Sequence, residues 1–291
     1  MRSRSEREGG LCMQEIDVMG IKTVITGASG VIGIAFAEAF LEHGAYVANW
    51  DLQESDPAKR LAQRFPQRYL FCETDVCRED SIEKAARETA AQFGGIDALC
   101  NIAGIIAKQQ IGELETDTLD RLYKVNVRGL MLVTKRLVPM LKKSGRGRII
   151  NMSSIQAAVG METYSPYTFT KAAVSGVTRV WALELAPYGV TVNAICPGWA
   201  KTAMADRMVE RLGDLHGIST EEARELILSY VPQRRFIDPQ EIAFTGLFLA
   251  SSAAGAISAN EIFVDAGMSH CAKPGLNLPV PETDDHRGRK P

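Results

Sequence analysis

A tyrosine and a lysine stand four residues apart in the stretch "SPYTFTK", at Tyr167 and Lys171. Ser165 is suited to cap a helix and Pro166 to fill its first turn, where a missing N–H costs nothing. On such a helix, residues four apart share a face. A phenol is a very weak acid at neutral pH, but a neighbouring ammonium and the positive end of a helix favour its anion. The pair would then carry protons. The same spacing also describes a surface aromatic beside a solvated lysine, so the surroundings have to separate the two readings. Of the seven tyrosines only Tyr167 has a lysine at the fourth position beyond it; Tyr230 has Arg234 there.

A second group could hold a nucleotide. "TVITGASGVIG" sets Gly27, Gly30 and Gly33 directly after a β-branched run, with Ser29, Val31 and Ile32 among them. Glycines there permit a tight turn and let a diphosphate approach the backbone and the start of the next helix. Asp51 lies 18 residues beyond Gly33, near the place where a dinucleotide fold sets an acidic residue on the ribose hydroxyls. A carboxylate there repels the extra phosphate of NADP, so NAD is the expected cofactor. Asp75 and Val76, in "ETDV", are expected at the adenine end of the same crevice.

These groups need a scaffold, and the hydrophobic pattern describes one. Strands are predicted over "KTVIT", "AYVANW", "RYLFCETD", "DALCNIAG", "GRIINMSS", "VTVNAICPG" and "EIFVDAG", with helical stretches between them. Buried runs joined by helices mean a parallel sheet covered on both faces. The expected fold class is therefore α/β: a Rossmann-type doubly wound sheet in a single domain over residues 19–271. Residues 1–18 and 272–291, polar and in the second case rich in proline and charge, are expected as flexible tails.

Composition narrows the function classes. A formal net charge of -2 with 46% hydrophobic and 23% charged residues gives no electrostatic footprint for nucleic acid. The N-terminal stretch lacks the apolar run of a signal peptide, and Met13 and Met19 offer later starts. The uncharged window from Ile242 to Asn260 is too polar in "SSAAGAISAN" for a membrane span. The six cysteines form no C-x-x-C pair and no zinc-like cluster with histidine, so no metal site is expected and a reducing cytoplasm is the natural compartment.

The ordered motifs "TGASGVIG", "NIAG" at 101–104, "KVNVRG" around Asn126, "NMSS" at 151–154, Tyr167 with Lys171, and "PGWAKT" at 197–202 resemble the short-chain dehydrogenase/reductase family, in its compact single-domain branch. The likeness runs from about Met19 to Met268. It implies Ser154 as the serine that bonds the reacting oxygen, with Ser153 as the weaker candidate, and Tyr167 as the proton donor and acceptor. Lys171 would lower the tyrosine's pKa and hold the nicotinamide ribose, and Asn126 would anchor a water leading from Lys171 to solvent. Asn101, Ala103 and Gly104 resemble the segment lining the cofactor, Pro197 and Gly198 the turn beyond it, and Thr202 the residue near the carboxamide. A homotetramer is also implied, paired through helices near 117–143 and 166–188.

Two positions depart from the family pattern. Val31 occupies the place of the turn's middle glycine, with Gly30 before it, and Ile102 stands for the second asparagine of "NNAG". Gly30 also replaces a basic residue often found in NADP-using relatives, in agreement with Asp51.

The implied reaction is hydride transfer between a secondary alcohol and nicotinamide, with a sugar or polyol, a hydroxy acid or a cyclic alcohol as substrate. Selection would lie in the charged, amphipathic stretch 203–235, a lid, with Trp199, Gln156, Met161 and Tyr164 as further walls. Arg207, Arg211, Arg234 or Arg235 could meet an anionic substrate. The competing readings are an NADPH-dependent ketone or oxoacyl reductase and a dinucleotide sensor without turnover. The retained tyrosine and lysine argue against the sensor.

Overall fold

The structure, a computed structural model, describes residues 16–271. The seven predicted runs form seven strands: β1 (Lys22–Thr26), β2 (Tyr46–Asp51), β3 (Tyr69–Glu73), β4 (Ala98–Asn101), β5 (Arg148–Met152), β6 (Thr191–Pro197) and β7 (Glu261–Val264). They make one parallel sheet in the order β3-β2-β1-β4-β5-β6-β7. The central strands are buried along nearly their whole length, since helices cover both faces.

The helices are α1 (Val31–Glu42), α2 (Asp56–Arg64), α3 (Glu79–Phe93), α4 (Thr116–Tyr123), α5 (Leu130–Ser144), α6 (Ser165–Leu185), α7 (Ala203–His216), α8 (Thr220–Leu228) and α9 (Pro239–Ala250). Residues of α1, α2 and α9 build one core layer around Phe36, Phe40 and Leu247. Residues of α3, α5 and α6 build the other around Trp50, Leu137 and Leu141. Trp50 is fully buried because its indole N–H finds Thr89 Oγ1 at 3.0 Å. Among the described residues no helix is long and apolar enough to cross a membrane.

Strand order reverses between β1 and β4, where consecutive crossovers leave on opposite sides of the sheet. Ligands of open α/β sheets bind outside the carboxyl ends of the strands at this point. The glycine turn follows β1 and "NIAG" follows β4, so the topology brings both motifs to one crevice mouth.

Three details differ from the sequence expectation. Val18, assigned to the N-terminal tail, is 1% exposed within the first core layer, and its carbonyl accepts the Ile21 N–H. Apolar burial thus orders the chain earlier than its polarity suggests; residues 1–15 and the expected C-terminal tail lie outside the described residues. The long helix expected near 117–143 is interrupted by a π turn over Lys124–Gly129, which joins α4 to α5. Finally, the stretch 203–235 is broken at Gly217, which caps α7 in the left-handed region at φ 64°. Behind α7 and α8 lies a small core of their own, built on Val209, Ala223, Val231 and Phe236.

Candidate active site

A crevice of about 780 Å³ opens where the strand order reverses. Its first wall is the glycine turn. Gly27 sits at φ +70°, and a Cβ there would come within 2.8 Å of Ala103 Cα. A Cβ on Gly33 would fall 2.1 Å from Gly27 O. Thr26 Oγ1 ties this turn to the one after β4, accepting the N–H groups of Ile102 and Ala103 at 3.1 and 3.2 Å. The helix α1 starts at Val31 with Gly30 as its cap and no side-chain oxygen to satisfy the first-turn donors. Those N–H groups face the crevice and fit a diphosphate. Val31 lines the crevice with its side chain half exposed.

Asp51 ends β2 on the same wall. Its carboxylate accepts the Ser29 N–H at 2.9 Å and the Leu52 N–H at 2.8 Å, so its position is fixed by the glycine turn itself. Leu52, Gln53, Glu54 and Ser55 complete this end, and no lysine or arginine lines it; the lining cations are Lys171 and Arg207. Asp75 shapes the turn after β3, accepting the Cys77 N–H at 2.8 Å while its own N–H donates to Ser81 Oγ.

At the far end lie Ser154, Tyr167 and Lys171. Ser154 follows β5, and its Oγ accepts the Gln156 N–H at 3.2 Å. Tyr167 and Lys171 project from the first turns of α6. Here Tyr164 is the N-cap and Ser165 the first helical residue, with no side-chain cap. The Lys171 ammonium donates to Met152 O at 2.7 Å and lies 5.6 Å from the centroid of the Tyr167 ring. Asn126 sits in the π turn, a backbone form that recurs at functional sites. Its Oδ1 accepts the Ile105 N–H at 2.8 Å, and its Nδ2 donates to Ile105 O and to Thr170 Oγ1. A Cβ on Gly104 would lie 3.4 Å from Asn126 Oδ1 and 3.6 Å from Lys171 Nζ; the asparagine and the lysine therefore flank one glycine.

The family model described as enoyl-(acyl carrier protein) reductase matches residues 27–269. The chain belongs to the short-chain dehydrogenase/reductase family. Relatives of this dehydrogenase/reductase include the NAD-dependent glycerol dehydrogenase of Listeria innocua, 33% identical over 244 residues, covering 84% of this chain and 92% of that one. The D-beta-hydroxybutyrate dehydrogenase of Cupriavidus necator is 34% identical over 238 residues, covering 81% and 92%. Among solved structures, a single-residue variant of actinorhodin polyketide ketoreductase with NADPH superposes with a TM-score of 0.81 at 29% identity, covering 88% of this chain and 100% of that one.

In this dehydrogenase/reductase, Gly27, Ser29, Gly30, Val31, Ile32, Gly33, Asp51, Asp75, Val76, Ala103, Gly104, Ser154, Tyr167, Lys171, Pro197, Gly198 and Thr202 all line the crevice. Two expected residues do not. Asn101 is buried beneath it, its Nδ2 donating to Asn151 Oδ1 and Thr134 Oγ1. The pleat of β4 turns its side chain away from the cofactor wall, and Asn101 joins the strands instead. Asn126 stands behind Gly104 and holds the Ile105 backbone. Ser153, the weaker serine candidate, bonds Lys171 O and Ser175 Oγ, which fastens α6 to the end of β5. The sequence motifs pass over Thr26, although its place as the last strand residue, directly before the first glycine, marks it. They also pass over Lys108, in a loop with no periodicity to mark it.

The electrostatics correct one further expectation. The helical spacing predicts that Lys171 acidifies Tyr167, but burial prevails in this geometry. The tyrosine is only partly covered, yet burial is the larger influence and pushes its pKa up to about 12, while a hydrogen bond with Ser154 opposes the rise. Burial likewise lowers Lys171 to about 8. The ammonium is directed at a carbonyl rather than at the phenol oxygen, so the lysine is the group that titrates near neutrality.

Proposed function

We propose that this chain catalyses reversible hydride transfer between a secondary alcohol and NAD, with Tyr167 as proton donor and acceptor. The observation that carries the reading is a single crevice with the glycine turn and Asp51 at one end and Ser154, Tyr167 and Lys171 at the other. The uncapped start of α1 and the close turn at Gly27 and Gly33 fit a diphosphate, and Asp51 fits a ribose diol. When bound, the nicotinamide accepts or gives the hydride.

The chain's own groups do the rest. In alcohol oxidation Tyr167 takes the hydroxyl proton, and Ser154 Oγ donates to the oxygen on which charge develops. The proton leaves the pair formed by Tyr167 and Lys171, and Asn126 holds the Ile105 backbone beside that pair. In ketone reduction the protonated phenol gives its proton back. The charged helices α7 and α8 close the substrate end. Four copies assemble through α5 and α6, whose exposed Met131, Phe169, Val180 and Leu183 supply apolar surface for a two-fold interface.

The pH dependence follows from the two shifts. Alcohol oxidation needs a place for the alcohol's proton, and the neutral Lys171 amine that forms through about 8 supplies it: Tyr167 takes the alcohol's proton as its own passes on to Lys171. kcat/KM for oxidation is expected to rise with pH through about 8 and then level. Reduction, which needs the fully protonated pair, falls over the same range. In Lys171→Met the remaining proton is the phenol's, held up at about 12, so the rise moves into strongly alkaline solution. A profile of that variant still bending near neutrality would contradict the assignment.

Cofactor choice is tested by titrating both nucleotides. Asp51 and Glu54 meet the ribose end with no cation to balance them, and a like charge brought against them costs several kcal/mol. The parent enzyme is expected to prefer NAD, and Asp51→Ala to shift the NAD-to-NADP ratio of kcat/KM by about a hundredfold. Clear NADPH preference in the parent would favour the reductase reading instead.

A further inference from the structure

Three cations that no described carboxylate neutralises gather around the substrate end of the crevice: Arg207 lines it, and Lys108 and Arg211 stand just outside its lining, Lys108 against the lining residues Tyr164 and Met208. Lys108 lies in the loop that leaves β4, half-buried, with its ammonium over the ring of Tyr164 at 4.5 Å from the centroid and against Met208 Sδ. Arg211, one turn beyond Met208 on α7, is close enough to oppose its charge, and Arg207 lines the crevice beside Met208. Among the described residues none of the three is in an ion pair, whereas Arg224 on α8 reaches Asp206. A half-buried ammonium held near a second cation is costly without an anion.

This arrangement is built rather than incidental. The loop is pinned where the Gln109 N–H donates to Thr163 O at 2.8 Å. Thr163 itself sits at φ 67°, a strained conformation for a β-branched residue, immediately before Tyr164. The Tyr164 ring meets Lys108 on its face and packs against Tyr167 with 6.3 Å between ring centroids. Lys108 is therefore one aromatic ring removed from the proton-transfer position. The carboxylates lining the crevice, Asp51, Glu54 and Asp75, all belong to the cofactor end.

We propose that Lys108, seconded by Arg207, is the specificity-determining receptor for a substrate carboxylate, and that the substrate is a hydroxy acid or its oxo form. The proposal rests on the dehydrogenase reading and selects among the alcohols it allows. Burial and Arg211 bring the lysine down to about 8, and a bound carboxylate would restore its charge. Because Arg207, Met208 and Arg211 all ride on α7, the anion would also draw that helix toward the loop after β4.

The test compares short 2-, 3- and 4-hydroxy acids with their methyl esters, at constant ionic strength, in the parent, Lys108→Met and Lys108→Arg. The parent is expected to favour an acid over its ester. The acid-to-ester ratio of kcat/KM should fall about tenfold to a hundredfold in Lys108→Met and be largely retained in Lys108→Arg. Calorimetric binding of butanoate to the enzyme saturated with NADH should weaken in parallel in Lys108→Met. Equal use of acid and ester by the parent, or butanoate binding that ignores the methionine, overturns the proposal. Failure of every alcohol to reduce either nucleotide would instead refute the dehydrogenase reading, with the calorimetry still deciding whether Lys108 holds a carboxylate.

Discussion

Phenylalanine at position 167 is expected to reduce kcat for alcohol oxidation and for ketone reduction by about a thousandfold, within the usual range for loss of a general acid–base group. The substitution removes one oxygen and leaves the ring. The contact with Tyr164 at 6.3 Å between centroids persists, as does the helix that begins at Ser165. Nothing about folding should suffer; one hydroxyl disappears, and Ser154 keeps the Gln156 N–H. Nucleotide binding should also survive, because Asp51 and the glycine turn lie at the other end of the crevice. The loss should therefore appear in kcat, with little change in the dissociation constant for NAD or in Tm. Turnover within a few-fold of the parent would mean that the proton takes another route.

Alanine at position 33 is expected to act on folding and on nucleotide binding together. The added methyl would meet Gly27 O at 2.1 Å and Ala28 Cα at 2.6 Å. Both are backbone atoms, so no rotamer change relieves the contact. The turn would have to open at Gly27, where the backbone is already so close to Ala103 that a Cβ would come within 2.8 Å of its Cα. Overpacking of this kind costs about 1–3 kcal/mol or somewhat more, and Tm should drop by several degrees for a domain of this size. Opening the turn also swings away the first N–H groups of α1. The NAD dissociation constant should rise at least about tenfold, the equivalent of losing one charge-assisted hydrogen bond. Unaltered Tm and affinity would show that the turn has slack these distances deny.

Much of the scaffold is legible because its signals are local. Each of the seven predicted runs, from "KTVIT" to "EIFVDAG", forms a strand, and the inner strands read as apolar runs because helices bury both of their faces. The glycines and Asp51 are legible for a related reason: a turn that admits no Cβ and a carboxylate one strand later are fixed by spacing along the chain. What spacing does not supply is direction. Asn101 belongs to the right motif, but the alternation of β4 aims it into the core. The helical spacing of Tyr167 and Lys171 suggests an ammonium that faces the phenol, whereas the fold presents Met152 O to it. The π turn around Asn126 and the strained Thr163 are set by tertiary contacts with no local signature. Lys108 acquires its setting only when α7 is laid across the loop after β4.

The separate apolar nucleus behind α7 and α8 has a consequence for how such an enzyme diversifies. Val209, Ala223, Val231 and Phe236 hold these two helices to one another, while the sheet is held by the two larger layers on either side of it. If these helices choose the substrate, as proposed, their residues can be rewritten with little draw on the contacts that keep the nucleotide platform intact. On that reading the segment would be an exchangeable cartridge, and a new repertoire could be reached by altering one pair of helices on an unchanged chassis.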